Sequence, residues 1–296
     1  MEPSINIQHL NKFYGKKQAL CDVNLSIGQG MFGLLGRNGA GKTTLMKTLA
    51  TLLQKKSGTV TICGVPVENE KEIRRIIGYL PQEFSMYPTM NVLEAMDYLA
   101  ILSGLSKRER KERTDLLLEK VNLTEHRYQK VKALSGGMKR RLGIAQALLN
   151  NPKVLIVDEP TAGLDPEERI RFRNLLSDAA EERIVILSTH IVGDIEATCE
   201  NIAILDNGKV LYHGTVDDLL AAACGKVFTK VTDRAELPKL KNELVITGMH
   251  TLNETIPRLS CILIPVFPDV LDNLSVDYSV RSLFRSIVVK CVFTLF

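Results

Sequence analysis

The stretch Gly36-Arg37-Asn38-Gly39-Ala40-Gly41-Lys42-Thr43-Thr44 decides the reading of this chain. Gly36, four residues, then Gly41-Lys42-Thr43 is the spacing of a loop that closes around phosphate. Glycines let successive backbone N–H groups turn inward around an anion, because no Cβ obstructs the unusual angles. Lys42 can set an ammonium against the terminal phosphates, and the Thr43 hydroxyl can hold Mg²⁺. The loop should open a helix from Thr43 to about Ala50, whose N-terminus adds partial positive charge. Upstream, Met31-Phe32-Gly33-Leu34-Leu35 reads as a short buried strand, so strand, loop and helix follow in the required order.

Composition sets the frame. The 296 residues suffice for one large domain or two smaller ones. A hydrophobic share of 45% with 24% charged residues is the balance of a globular chain. The net charge of +4 is too small to argue for nucleic acid. Cys21, Cys63, Cys199, Cys224, Cys261 and Cys291 contain no CxxC pair, so neither a zinc site nor a disulfide framework is expected. Reduced thiols in a reducing compartment are the simpler reading. No leader-like segment stands at the N-terminus, and no apolar run approaches the ~20 residues that span a bilayer. Any membrane part of the process is expected on another chain.

Outward from the loop, the pattern is α/β. Ile5 to Leu10 alternates as a half-exposed strand, and Asn11 to Lys17 reads as a polar turn carrying Phe13 and Tyr14. Ala19 to Ile27 resumes a strand. An aromatic ring there can stack on a nucleotide base, with Tyr14 preferred and Phe13 its rival. Gly58 to Ile62 is a strand, Glu68 to Arg75 a short charged helix, and Ile76 to Leu80 a buried strand stopped by Pro81. Gln82 follows at the carboxyl end, where ligands sit in open α/β sheets.

From Asn91 three helices follow without an intervening strand. The first presents Val92, Leu93, Ala95, Met96, Leu99 and Leu102. The second, Lys107 to Asn122, should turn Leu116, Leu117 and Val121 inward and Arg108, Arg110, Lys111 and Arg113 to solvent. The third, Met138 to Leu149, buries Leu142, Ala145, Leu148 and Leu149. Such a run is expected to be a helical subdomain inserted into the α/β core.

Val154-Leu155-Ile156-Val157 then reads as a strand buried on both faces, ended by Asp158, Glu159 and Pro160. Pro166 to Ala180 is a helix with proline in its first turn. Ile184 to Leu187 is another buried strand, running into Ser188-Thr189-His190. A hairpin turns at Asp206-Asn207-Gly208, and Thr215 caps a helix to Ala223. Beyond Cys224, Val227 to Val231 reads as a strand and Leu237 to Leu244 as a short helix. The tail from Ile256 carries no chemical motif.

Asp158 after four apolar residues stands where a phosphate-loop ATPase places its Mg²⁺ carboxylate. Glu159 beside it is a candidate to polarise an attacking water. Leu134-Ser135-Gly136-Gly137 opens a second helix suited to phosphate, on a different part of the chain. One nucleotide does not readily need both within one subunit. Head-to-tail pairing of two subunits satisfies both.

The phosphate loop at Gly36–Thr44, Gln82, Leu134-Ser135-Gly136-Gly137, Val154–Glu159, Ala162-Gly163-Leu164-Asp165 and His190 occur in the order and spacing of the ATP-binding-cassette family, which the chain resembles over about residues 4 to 220. It is most similar to the separate ATPase subunits of bacterial-type transporters that serve small exporter permeases. The resemblance implies a phosphate-loop NTPase core with an antiparallel β subdomain and an inserted helical subdomain at about 86–150. It places the ATPase domain at 1–223 and a C-terminal extension at 224–296.

The resemblance also implies ATP and Mg²⁺ as ligands, and a role for each matching residue. Tyr14 would stack on adenine. Gly36, Arg37, Asn38, Gly39, Ala40, Gly41, Lys42, Thr43 and Thr44 would hold the phosphates. Thr43, Gln82 and Asp158 would hold Mg²⁺. Ser135, Gly136 and Gly137 would meet the partner's γ-phosphate, and Asp165 would cross the dimer seam. Glu159 would be the general base, with His190 aligning the water. The expected partners are a membrane permease on a separate chain and a second ATPase subunit, in a homodimer or heterodimer at the cytoplasmic face of the membrane, with no nucleic acid.

Two departures stand out. Met138 replaces the glutamine that often follows Ser-Gly-Gly, and the tail after about Ile256 differs from the family's usual C-terminal strands. The alternative is a soluble cassette ATPase acting on ribosomes or nucleic acid. Those resemble paired cassettes, or cassettes split by a coiled coil, whereas this chain has one phosphate loop and no sustained heptads.

Overall fold

The computed structural model describes residues 3–161, 163–223, 228–233, 238, 244–251 and 258–265. The chain divides into two compact units, Met1–His213 and Gly214–Phe296.

The first unit is built on two sheets. In one, β1 (Ile5–Tyr14), β2 (Lys17–Ile27), β4 (Ser57–Ile62) and β5 (Val65–Pro66) lie in the order β2-β1-β4-β5, all antiparallel. The expected polar turn at Asn11–Lys17 is corrected here. β1 continues through Phe13 and Tyr14, which pair with Gln18 and Lys17, and the turn shrinks to Gly15 and Lys16. Cross-strand bonding on an exposed ribbon overrides the polar composition that suggested a loop.

The other sheet contains β3 (Gly30–Leu35), β6 (Ile77–Leu80), β7 (Val154–Asp158), β8 (Ile184–Thr189), β9 (Asn201–Asp206) and β10 (Lys209–Thr215). Its order is β10-β9-β3-β8-β7-β6. The pairs β3–β8, β3–β9, β7–β8 and β6–β7 are parallel. Every residue of β7 and β8 is buried, which is why both read as unbroken apolar runs. Helix α1 (Lys42–Leu49) contributes Leu45, Met46 and Leu49 to a core shared with Ile5, Ile7 and Leu25 of the antiparallel sheet and Phe32, Ile156 and Ile186 of the parallel one. Helix α2 (Glu70–Ile76) leads into β6.

Between β6 and β7 lie α3 (Val92–Leu102), α4 (Lys107–Lys120) and α5 (Gly136–Ala147). Asn91 with Glu94, and Ser106 with Glu109, form reciprocal capping boxes that fix the starts of α3 and α4. Two expectations fail here. Leu102 and Leu116 are exposed, and Leu118 rather than Leu116 is buried beside Leu117. Arg113 is not a solvated cation: its guanidinium donates to Leu148 O and Leu149 O at the end of α5, 3.3 and 2.7 Å away. These carbonyls lie past the helix end, where intrahelical donors run out. Leu148 O also accepts from Asn151 N at 3.0 Å, and the arginine adds its donors to both. Helix α6 (Pro166–Ala180) and α7 (Val192–Thr198) flank β8.

In the second unit, Thr215 Oγ1 accepts from Asp218 N at 3.0 Å and caps α8 (Val216–Ala223). β11 (Phe228–Asp233), β12 (Leu244–Thr251) and β13 (Arg258–Pro265) form an antiparallel sheet in the order β11-β13-β12. The helix expected from Leu237 to Leu244 lies mostly outside the described residues, and Leu244 opens a strand instead. β13 falls within the tail that carried no motif.

Candidate active site

The phosphate loop leaves β3 and enters α1. Gly41, at the helix start, has φ +111°, and a Cβ there would stand 2.8 Å from Ala19 O. Only glycine satisfies both demands. The loop is braced from behind: Gly208 N donates to Ala40 O at 2.9 Å, and Cys21 N to Gly208 O at 2.8 Å. No acidic residue occupies the first turn of α1, so nothing there offsets the positive end of its dipole.

Lys42 is buried. Its Nζ donates to Gly36 O at 2.7 Å and Arg37 O at 3.2 Å, and lies 3.2 Å from Glu159 Oε1. These groups face a cleft of about 680 Å³. Tyr14, Arg37, Asn38, Gly39, Gly41 and Lys42 line it, with Thr43, Thr44, Gln82 and Glu159. Phe13, Gly36, Ala40, Asp158 and His190 are not among its lining residues. Lys12 Nζ stands 5.5 Å from the centre of the half-exposed Tyr14 ring.

β7 and β8 deliver the acids. Asp158 pairs in register with Ser188, whose Oγ donates to Asp158 Oδ1 at 2.6 Å. Glu159 leaves the sheet with φ +44°, a left-handed angle that costs a non-glycine residue about 1–3 kcal/mol. Its N–H is held by Ser188 O at 3.1 Å and Ser188 Oγ at 3.2 Å. The turn aims the carboxylate so that Oε1 meets Lys42 and Oε2 lies 3.1 Å from His190 Nδ1.

Asp158 Oδ2 is buried with no hydrogen-bond partner, as are Tyr79 Oη and Arg140 Nη1. Burial raises the Tyr79 pKa, and the Asp158 charge adds to that rise. Burial lowers the Arg140 pKa, with Asp158 opposing. An unsatisfied carboxylate oxygen buried in a protein is costly. Thr43 and Gln82 line the cleft, and Asp158, with one buried oxygen unpartnered, precedes the lining residue Glu159 in sequence. Oxygen donors of these types suit a hard divalent cation such as Mg²⁺.

The remaining residues read from the sequence lie apart. Ser135 is the N-cap of α5, its Oγ accepting from Met138 N at 3.2 Å, and the helix begins at Gly136 rather than Met138. Asp165 caps α6, accepting from Glu168 N at 2.8 Å. None of Ser135, Gly136, Gly137 and Asp165 lines the cleft. Conversely, Lys17, Gln18, Ala19, Asn207 and Gly208 line it without having been singled out. The hairpin signal at Asn207-Gly208 was visible, but the strand order that brings it behind the loop was not.

The family model described as "ABC transporter" matches residues 20–162. "Uncharacterized ABC transporter ATP-binding protein YxlF" of Bacillus subtilis (strain 168) is 39% identical over 227 residues, covering 76% of this chain and 75% of that protein. The chain belongs to the ABC transporter ATP-binding proteins. "Nod factor export ATP-binding protein I" of Cupriavidus pinatubonensis is 36% identical, over 75% of this chain and 69% of that one. Among solved structures, the dimeric post-hydrolysis state of the ATP-binding cassette MJ0796 bound to ADP and Pi superposes with a TM-score of 0.65. It is 28% identical, covering 71% of this chain and 98% of that one. This ABC protein is therefore an ATP-binding and ATP-hydrolysing subunit, and its core is that of a phosphate-loop NTPase. No helix among the described residues is long and apolar enough to cross a membrane.

Proposed function

We propose that this chain powers a separate membrane permease, in an exporter, from the cytoplasmic face of the membrane. The ATPase unit would span 1–223, with its helical insert at about 86–150. The observation that carries the reading is the Lys42–Glu159 contact at the floor of a cleft lined by the phosphate loop. It unites an anion-binding loop and a candidate base in one place.

On this reading Tyr14 stacks on adenine, and Gly36 to Thr44 cradle the phosphates. Thr43, Gln82 and Asp158 hold Mg²⁺, which when bound neutralises charge on the β- and γ-phosphate oxygens. Phosphate oxygens compete for Lys42 and displace it from Glu159. Glu159 Oε then accepts a proton from water as the water oxygen bonds to the γ-phosphorus and the bond to ADP breaks. His190 holds the other carboxylate oxygen and keeps the base aimed.

A second subunit supplies Ser135, Gly136 and Gly137 to the terminal phosphate, and Asp165 crosses the seam. Support comes from the two-site layout: these residues start helices outside the cleft that the phosphate loop lines. The dimeric cassette MJ0796 and the Nod factor export protein support pairing and export by similarity. The test is co-purification from detergent-solubilised membranes with ATP turnover measured on the isolate. A membrane subunit that stimulates turnover supports the reading. Full turnover with no membrane partner captured contradicts it.

A further inference from the structure

The two helix starts that lie outside the cleft are joined within one subunit by a single side chain. Glu168, in the first turn of α6, has Oε2 3.3 Å from Arg141 Nε of α5 and Oε1 3.3 Å from Arg171 Nη1. The Arg141 contact is an ion pair without hydrogen-bond geometry. Arg141 is buried and spends Nη1 on Val121 O and Asn122 O, both at 2.9 Å, beyond the end of α4. Glu168 N meanwhile donates to Asp165 Oδ1.

The same carboxylate lies over Gly137. A Cβ on Gly137 would meet Glu168 Oε2 at 2.6 Å, Cδ at 2.9 Å and Cγ at 3.0 Å. A Cβ on Gly136 would meet nothing within 4 Å. The first glycine thus faces open space, whereas a side chain at the second would require the Glu168 carboxylate to move aside.

We infer that Glu168 is a positioning residue. It locks the Ser135-Gly136-Gly137 helix start to the Asp165 helix start, so that both meet the partner subunit as one body. This rests on the reading that Ser135–Gly137 face the partner's nucleotide. Two ion pairs converge on the Glu168 side chain, its backbone N–H ties the same residue to Asp165, and neither ion pair reaches the phosphate loop. Its loss should therefore affect the joint site and spare nucleotide binding by one subunit. Small displacements of positioning groups can cost as much as ~10²-fold in rate, and a partial release of this lock should cost about tenfold.

The test compares Glu168→Ala, Glu168→Gln and Ser135→Phe by kcat, by thermal unfolding and by the affinity of the dilute monomer for a fluorescent ATP analogue. Glu168→Ala should lower kcat about tenfold while monomer affinity stays within about twofold. Glu168→Gln fills the same space over Gly137 and should retain most of the rate. Gly137→Ala should cost less in the Glu168→Ala background than in the native one, a coupling that independent sites would not give. Should Glu168→Ala fail to fold, Glu168→Asp, which withdraws the carboxylate from Gly137, should show the same fall in kcat. Wild-type kcat in Glu168→Ala, an equal loss of monomer affinity, or additive Gly137 and Glu168 effects would overturn the inference. If Ser135→Phe is inactive while Glu168→Ala is normal, this inference alone fails. If Ser135→Phe is also normal, the reading beneath it fails.

Discussion

Lys42 Nζ lies 3.2 Å from Glu159 Oε1, with the two side chains only 5% and 8% exposed. The ammonium proposed to bind phosphate and the carboxylate proposed to activate water are paired with each other. On the proposed reading, phosphate would take the place of Glu159 beside Lys42 and leave the carboxylate available to water.

Glu159→Gln removes the base and also the charge that competes for Lys42. ATP affinity should equal or exceed that of the native chain, while turnover falls on the order of 10²–10³-fold, the usual cost of losing a preorganised catalytic group. Single-turnover phosphate release and nucleotide titration measure the two effects separately. Native turnover in this variant would remove Glu159 from the mechanism.

Lys42→Ala should act on binding itself. A charge-assisted contact of this kind contributes about 1.5–3 kcal/mol, so affinity should fall roughly 10–100-fold. Isothermal titration with ATP reads this directly, and an unchanged affinity would contradict the phosphate-loop assignment.

The loop was legible in the sequence because its chemistry is local: spacing alone brings Gly36, Gly41, Lys42 and Thr43 together. β7 was legible because burial on both faces leaves an unbroken apolar run. What could not be read is what depends on distant partners. Leu116, Leu117 and Leu118 are consecutive on α4, and a helix cannot bury all three on one narrow face. The neighbours that choose Leu117 and Leu118 lie far along the chain. Arg113 looked like part of a charged surface because its acceptors, Leu148 O and Leu149 O, belong to another helix. The tight turn that aims Glu159 at both Lys42 and His190 leaves no mark in residue type.

Gly41→Ala should be harmful on two counts, a left-handed φ and a Cβ 2.8 Å from Ala19 O. The strain is about 1–3 kcal/mol, enough to lower the thermal midpoint by several degrees. Nucleotide binding should weaken with it, since the same backbone forms the anion cradle. A variant with native melting and affinity would show that the loop is less constrained than its geometry implies.

Cys199 is buried, and that burial pushes its thiol pKa up to about 12. A raised pKa leaves almost no thiolate near pH 8, and thiolate is the reactive form. Alkylation of the folded protein should spare Cys199 while reaching the half-buried Cys21 and Cys63, and denaturant should abolish the difference. Peptide mapping after iodoacetamide treatment checks this, and rapid native labelling of Cys199 would contradict it.

On the proposed reading, each ATP site draws its phosphate loop from one subunit and its Ser-Gly-Gly segment from another. The decisive experiment mixes Lys42→Ala, assayed at an ATP concentration too low to fill its site, with Ser135→Phe. In a mixed pair, one site takes its intact Lys42 from the second variant and its intact Ser135 from the first. ATP turnover should return on mixing and depend on the ratio of the two chains. A mixture no more active than its separate components would contradict it.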